Sequence, residues 1–299
     1  MKRSIRQHRS TKWFLAFLTP ALVVYTLFWI LPILLTGIIS LTDWKGTSRL
    51  ATASFVGLKN FQNLFHDSIL STAVINNLLY GLVMIIAVPV MSFIVAYTIE
   101  SFVHKKVFFR TVAYLPAILP GIVTVLLWKW IYNPSYGLLN QFLDLIGLDK
   151  WTTGWITNSD TALGAVTFTS IWKTVPVYFV LFMAGLQAVP QDLIEAAVLD
   201  GASRGQTILH VTLPSIRRVT TIVYTLVFID TFRVFELVYA MTNGGPGYYN
   251  TEMILTYAYK TTFTNSNASY GMAISMVLIA LIIVVAALQM KLGNRLADD

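Results

Sequence analysis

Four charged side chains sit in stretches otherwise apolar enough for a bilayer. Lys173 lies within the run Ala162–Val189. Asp230, Arg233 and Glu236 recur every third residue within Val219–Met241. A charge at the centre of a membrane helix costs about 2.5 to 3.5 kcal/mol on insertion scales, so these positions need a reason. Two readings coexist. In one, the two bases and two acids form an interhelical cluster that specifies packing, with Arg233 pairing to the acids at i−3 and i+3. In the other, they line a hydrophilic path through the membrane. Trp172-Lys173-Thr174 stands just before Pro176, so an aromatic face, a charge and a helix kink share one place. Asn76, Asn77 and Tyr80 form a polar patch in a further apolar run, and hydrogen bonding to a neighbouring helix is their favoured use.

A second constellation is the stretch EAAVLDGASRGQTILHVTLP, Glu195 to Pro214, between two apolar runs. Pro190 is suited to start a helix whose positive end is matched by Asp192 and Glu195. Ile194, Ala197 and Val198 fall at i, i+3 and i+4 and make a short apolar stripe. Gly201 is placed to end that helix in a left-handed conformation, and Ser203 to cap a second one. Leu213-Pro214 is expected to end the second helix and lead into the next span. The product is a compact helical knob. Its small side, Ala196, Ala197, Gly201 and Ala202, beside Asp200 and Ser203, suits a groove on another protein. On composition alone an ordinary interfacial loop fits equally well.

Several chemistries are excluded. There is no cysteine, hence no disulfide, thiolate site or Cys nucleophile. His8, His66, His104 and His210 are scattered through connections and termini without convergent partners, so neither a metal site nor an enzyme follows. No G-x-x-x-x-G-K-[ST] phosphate loop occurs, so this chain is not expected to hydrolyse ATP itself. Of the 299 residues, 56% are hydrophobic and 12% charged, against roughly 25% charged in soluble domains. The net charge of +7 is parcelled among connections rather than gathered on one face, which argues against nucleic acid.

The elements that must position these groups are membrane helices. Each needs about 20 apolar residues. Six segments qualify, about 13–41, 71–99, 111–132, 162–189, 217–241 and 269–290. They bound one transmembrane domain, 13–290, with a basic segment 1–12, the loop 190–216 and a tail 291–299. The fold class is an all-α polytopic membrane protein. The first run is too long for a signal-peptide core and lacks a cleavage site, so it is read as a retained span. Lys2, Arg3, Arg6, Arg9, Lys12, Lys105, Lys106, Arg110, Arg204, Arg217, Arg218, Lys291 and Arg295 fall on one side. Only Lys45, Arg49, Lys59, Lys150 and Lys260 fall on the other. The first side is cytoplasmic, with both termini and the knob. Trp13, Trp44, Trp128, Trp130, Trp151 and Trp155 near span ends read as interfacial anchors. The external loop after residue 132 carries Leu138–Ile146, too short to span, as an interfacial or scoop-like helix. Thr242–Glu252 is a tight glycine-rich turn.

The frame Glu195-Ala196-Ala197, three residues, Gly201, nine residues, Val211-Thr212-Leu213-Pro214 resembles the EAA loop of ABC-importer permeases, which usually have Ile where Val211 stands. The surrounding LFMAGLQAVPQDLIEAAVLDGAS and MTNGGPGYYNTEMILTYAYKTTF resemble carbohydrate-uptake permeases of the maltose type, over roughly residues 70–290. The resemblance implies that Glu195, Ala196, Ala197, Asp200, Gly201, Ala202, Ser203, Leu213 and Pro214 form coupling helices. These dock into a separate dimeric cytoplasmic ATPase, which uses ATP and magnesium. Glu195 would pair with a basic residue there. It implies a second related permease, an extracytoplasmic sugar-binding protein and a bacterial cytoplasmic membrane, with no cofactor on this chain. It places substrate contacts at Lys173, Thr174, Val177, Asp230, Thr231 and Val234. Sugars need hydrogen-bonding groups and aromatic faces. Trp172, Tyr178 and Phe232 offer the faces, and Arg233 and Glu236 extend the charged lining. The neutral amides typical of maltose carriers are absent, so an acidic oligosaccharide met by Lys173 or Arg233 is the expectation. Two other classes remain. A self-driven carrier would use Asp230 and Glu236 as coupling carboxylates and bring inverted repeats, and none is apparent. A membrane enzyme would need a clustered acid, base or nucleophile.

Overall fold

The computed structural model describes residue 14 and residues 17–298, with side chains as far as Lys291. The basic segment 1–12 and Trp13 lie outside the described residues. Those described form helices and connections, with one isolated bridge between Thr42 and Phe55 and no strand. Apart from the short helices Lys59–Asn63 and Leu213–Ser215, the α-helices in chain order are α1 Phe17–Ile39, α2 Ser68–Phe102, α3 Lys106–Ile118, α4 Gly121–Ile131 and α5 Leu138–Leu145. They continue as α6 Ala162–Gln187, α7 Gln191–Leu199, α8 Arg204–Thr207, α9 Arg217–Phe232, α10 Glu236–Thr242, α11 Ile254–Phe263 and α12 Ala268–Asp298.

Among the described residues four helices are long and apolar enough to cross a bilayer: α1, α2, α6 and α12, the last over Ala268–Lys291. The expected third span is cut. Its halves, α3 and α4, meet at 93° around Leu119-Pro120 and count as one span only if taken together. The expected fifth span is also interrupted. Its 16-residue portion, α9, is about 24 Å long, less than the roughly 30 Å of a hydrocarbon core. Arg233 leaves the helix at φ −96°, ψ 5° and Phe235 turns at φ −141°, ψ −69° before α10 begins. The helix therefore breaks where sequence periodicity carries it straight on. Beyond 290, helical backbone continues where a tail was expected.

The chain divides into two compact units. The described part of the first comprises residues 17–66 and 258–277, with residue 14. Within it, Ser269 donates its amide to the Trp44 carbonyl at 2.9 Å and shares a hydroxyl hydrogen bond with Thr42, also 2.9 Å. Asn60 donates to the carbonyls of Ser40 and Thr42, both at 2.8 Å. Phe17, Phe28 and Ile38 on α1 stay well exposed, as helices without a polar face do when lipid or another chain covers them.

The second unit comprises residues 67–257 and those from 278 on, and it holds the main core. Val88, Ala96, Val166, Phe179, Phe182, Val223 and Val227 bring α2, α6 and α9 together. Asp67 starts α2 by accepting the amides of Ile69 and Leu70, and Tyr257 donates to its other oxygen at 2.7 Å. Trp128, expected at the interface, is buried between Tyr132 and Trp172. Trp155 donates to Asn140 of α5 at 2.7 Å, and Asn140 in turn donates to the carbonyls of Pro134 and Thr153. The short loop helix is thus pinned from within by one buried amide.

Candidate functional site

The knob is built by local rules. Pro190, at φ −60°, ψ 129°, opens α7 where its missing amide would have had no partner anyway. The helix closes on Gly201 at φ +81°, with Gly201 donating to Val198 and Ala202 donating to Ala197. That pair of bonds is a Schellman end, which needs a left-handed residue there. Ser203 then accepts the Gln206 amide while its own amide donates to the Gln206 side chain at 2.8 Å, a reciprocal cap for α8. Leu213-Pro214 does not end the helix as expected. A π-helical turn, Ile208–Thr212, comes first and shifts the hydrogen-bond register, so the proline follows without a break. The chain breaks instead at Ile216, at φ −99°, ψ 15°.

These turns bring distant motif residues together. Ala197, Asp200, Gly201, Ala202 and Val211 line one concavity of about 350 Å³, with Gln206 and His210. Glu195, Ala196, Ser203 and Pro214 are exposed and Leu213 is half-buried. Leu193, Val198 and Leu199 also face outward, the last 88% exposed, an apolar surface on a small polar knob. One side-chain contact ties the knob's base to α2. Arg204 lies over the Phe102 ring at 5.3 Å. Beside it Glu100 accepts from Arg110 at 2.7 Å, Lys106 at 3.1 Å and Gln187 at 3.5 Å. Sequence reasoning missed Glu100. Its signal was an acid at the very end of an apolar run, followed by basic residues 106 and 110.

The charged group gathers around a second cavity, of about 360 Å³. Lys173, Thr174, Asp230, Arg233, Val234 and Glu236 all line it, together with Tyr80 and Ser170. Trp172, Val177 and Thr231 do not. Trp172 packs edge-on against Trp128 at 5.5 Å, Val177 is exposed elsewhere, and Thr231 is wholly buried. The other expected stacking faces are also packing: Phe232 lies on Phe228, and Tyr178 is buried.

The expected pairing of Arg233 with its neighbours is absent. The ion pairs of Lys106 and Arg110 with Glu100 lie elsewhere, and among the described residues neither Asp230 nor Glu236 comes within 4.0 Å of a base. The break at Arg233–Phe235 removes the i, i+3 geometry for Glu236, whereas Asp230 keeps its place one turn before Arg233. Asp230 instead accepts from the Tyr178 hydroxyl at 2.6 Å. Lys173 donates to the carbonyls of Pro116, at 3.4 Å, and Leu119. Arg233 is exposed to the cavity.

Asn76 and Asn77 hydrogen-bond neighbouring backbone, as expected. Asn76 donates to the carbonyls of Tyr249 at 2.9 Å and Glu252 at 3.0 Å. Asn77 donates to the Thr231 carbonyl at 3.3 Å and accepts from the Ile254 amide at 3.2 Å. Two adjacent amides on α2 thus anchor the glycine-rich turn and the end of α9.

Residues 102–298 match the family described as "Binding-protein-dependent transport system inner membrane component". The chain is 38% identical over 277 residues to the probable ABC transporter permease protein YurN of Bacillus subtilis (strain 168), covering 92% of this chain and 94% of that one. It is 34% identical to the diacetylchitobiose uptake system permease protein NgcF of Streptomyces coelicolor, covering 95% and 82%. The fold matches the crystal structure of a bacterial ABC transporter involved in the import of the acidic polysaccharide alginate. There the TM-score is 0.83 with 22% identity, covering 98% of this chain and 99% of that one. The chain belongs to the family of inner-membrane components of binding-protein-dependent transport systems.

Proposed function

We propose that the chain is the permease subunit of an ATP-driven importer that carries a saccharide across the bacterial cytoplasmic membrane by alternating access. The observation that carries this reading is the knob. It is rigid by local capping, small-faced, exposed and fastened at its base to α2, so a push on it is delivered to the bundle. A separate dimeric ATPase supplies that push. An extracytoplasmic binding protein delivers cargo, and a second related permease completes the path. The chain contributes no catalytic group of its own.

In this reading α3 with α4 forms the third crossing and α9 with α10 the fifth. The crossings then number six, with both termini and the knob on the cytoplasmic side. The saccharide class is supported by the diacetylchitobiose permease relative. The cavity around Arg233 is the pathway, with Thr174 and Asp230 as hydrogen-bonding groups. An acidic saccharide is favoured because the Arg233 guanidinium faces the cavity without an ion-pair partner within 4.0 Å.

The test uses the complete transporter. The chain has no cysteine, so Ala197→Cys introduces a single thiol. It is expected to crosslink to a cysteine placed in the ATPase cleft, with a yield that changes on ATP binding. Absence of any ATPase crosslink, or saccharide uptake by this chain alone, would overturn the proposal.

A further inference from the structure

The cut in the third hydrophobic segment has a specific chemical origin. The carbonyl of Pro116 would normally accept the amide of residue 120, four positions on. Residue 120 is proline and has no amide. Leu119 and Pro120 turn extended, at φ −61°, ψ 131° and φ −55°, ψ 145°, and the segment becomes α3 and α4 at 93°. In hydrocarbon, carbonyls freed this way need a donor inside the protein. The donor is the Lys173 ammonium, reaching from the middle of α6 to the carbonyls of Pro116 and Leu119.

The far side of the cut meets the opposite charge. Glu236 begins α10, and its carboxylate lies against Gly121, the first residue of α4. A methyl added at Gly121 would overlap it. The signs match the helix ends: the carbonyl end of α3 faces an ammonium, and the amide end of α4 faces a carboxylate. Lys173 and Glu236 stand more than 4.0 Å apart, so each answers a helix end rather than forming an ion pair with the other.

We infer that Lys173 and Glu236 are positioning residues, which hold the broken segment at its angle and so frame one wall of the cavity without contacting the cargo. This rests on the cavity being the pathway, but it concerns the frame and not the cargo. It moves two of the four membrane charges from recognition to architecture. Arg233 and Asp230 remain to meet the saccharide.

The experiment measures the angle directly in the reconstituted transporter. Val112 on α3 and Leu126 on α4 are 45% and 62% exposed, and Val112→Cys with Leu126→Cys gives two spin-label sites in a cysteine-free chain. Lys173→Met removes the donor at similar length. Gly121→Ala displaces the Glu236 carboxylate without touching any charge. Both are expected to shift or broaden the interspin distance, and Lys173→Arg to restore it. Both are also expected to lower maximal uptake about tenfold, equally for neutral and acidic saccharides, with KM changed less than about twofold. An unchanged distance in Gly121→Ala would overturn the inference even should Lys173→Met fail to assemble. So would a KM increase in Lys173→Met confined to acidic saccharides. The distance readout needs no cargo, so a wild type that imports no saccharide would sink the cargo assignment and leave this measurement standing.

Discussion

Arg233 shows what a single residue reveals and conceals. Its place in an apolar run marks it as a group that either specifies packing or lines a path, since a charge in lipid needs a reason. Its partners were not legible: the helix breaks just after Arg233 and takes Glu236 out of i, i+3 register, while Asp230 is met by Tyr178 instead. The result is a guanidinium facing a cavity of about 360 Å³. Replacing it by Gln removes one charge-assisted contact, worth about 1.5 to 3 kcal/mol, or roughly ten- to hundredfold in binding. Arg233→Gln is therefore expected to raise KM for a uronate-bearing saccharide at least about tenfold and to leave a neutral one within about twofold. Uptake kinetics with the two cargo types decide it, and equal loss for both would remove the acidic reading. Asp230 differs in being met by Tyr178, a partner 52 positions away that no local spacing foretells.

At the scale of elements, the knob was the most legible part of the chain. Pro190, Gly201 and the Ser203/Gln206 spacing act within a few residues, and each does in the structure what its type dictates. Pro214 misled because a proline breaks a helix only where its missing amide is needed, and the π-helical turn ahead of it alters that need. Gly201 has open space around it, so only backbone strain opposes a side chain there. Gly201→Ala is expected to cost about 1–2 kcal/mol at the left-handed position. Insertion into the membrane should survive, and ATPase activity stimulated by the binding protein should fall severalfold. Unchanged stimulation would mean that the knob does not need its Schellman end. The broken elements were harder to see. Pro116 and Pro120 announce an irregularity, but a bend of 93° rather than a mild kink depends on Lys173 being there to satisfy the freed carbonyls.

For the whole molecule, apolar run lengths located α1, α2, α6 and α12 to within a few residues, because twenty apolar residues in a bilayer have few alternatives to a helix. The proposed orientation rests on the distribution of Lys and Arg and is open to direct test. Asp149→Cys, in the loop after α5, is expected to react with a membrane-impermeant maleimide added outside. Gly205→Cys, in the knob, is expected to react only after permeabilisation. Both positions are exposed, so burial does not confuse the readout. The reverse labelling pattern would invert the topology.

What the amino-acid order determined by itself is everything carried by short-range physics: the apolar spans, the capped knob, and the isolation of four charges in lipid-soluble surroundings. What only the tertiary structure decided is who answers whom. Lys173 meets the carbonyls of a proline-cut helix, Tyr178 meets Asp230, two asparagines of α2 grip the glycine-rich turn, and Arg233 is left toward the cavity. The reason is that a polar group in a membrane protein must be satisfied by whatever the fold brings near it, and nearness across helices is not written in the spacing along any one of them.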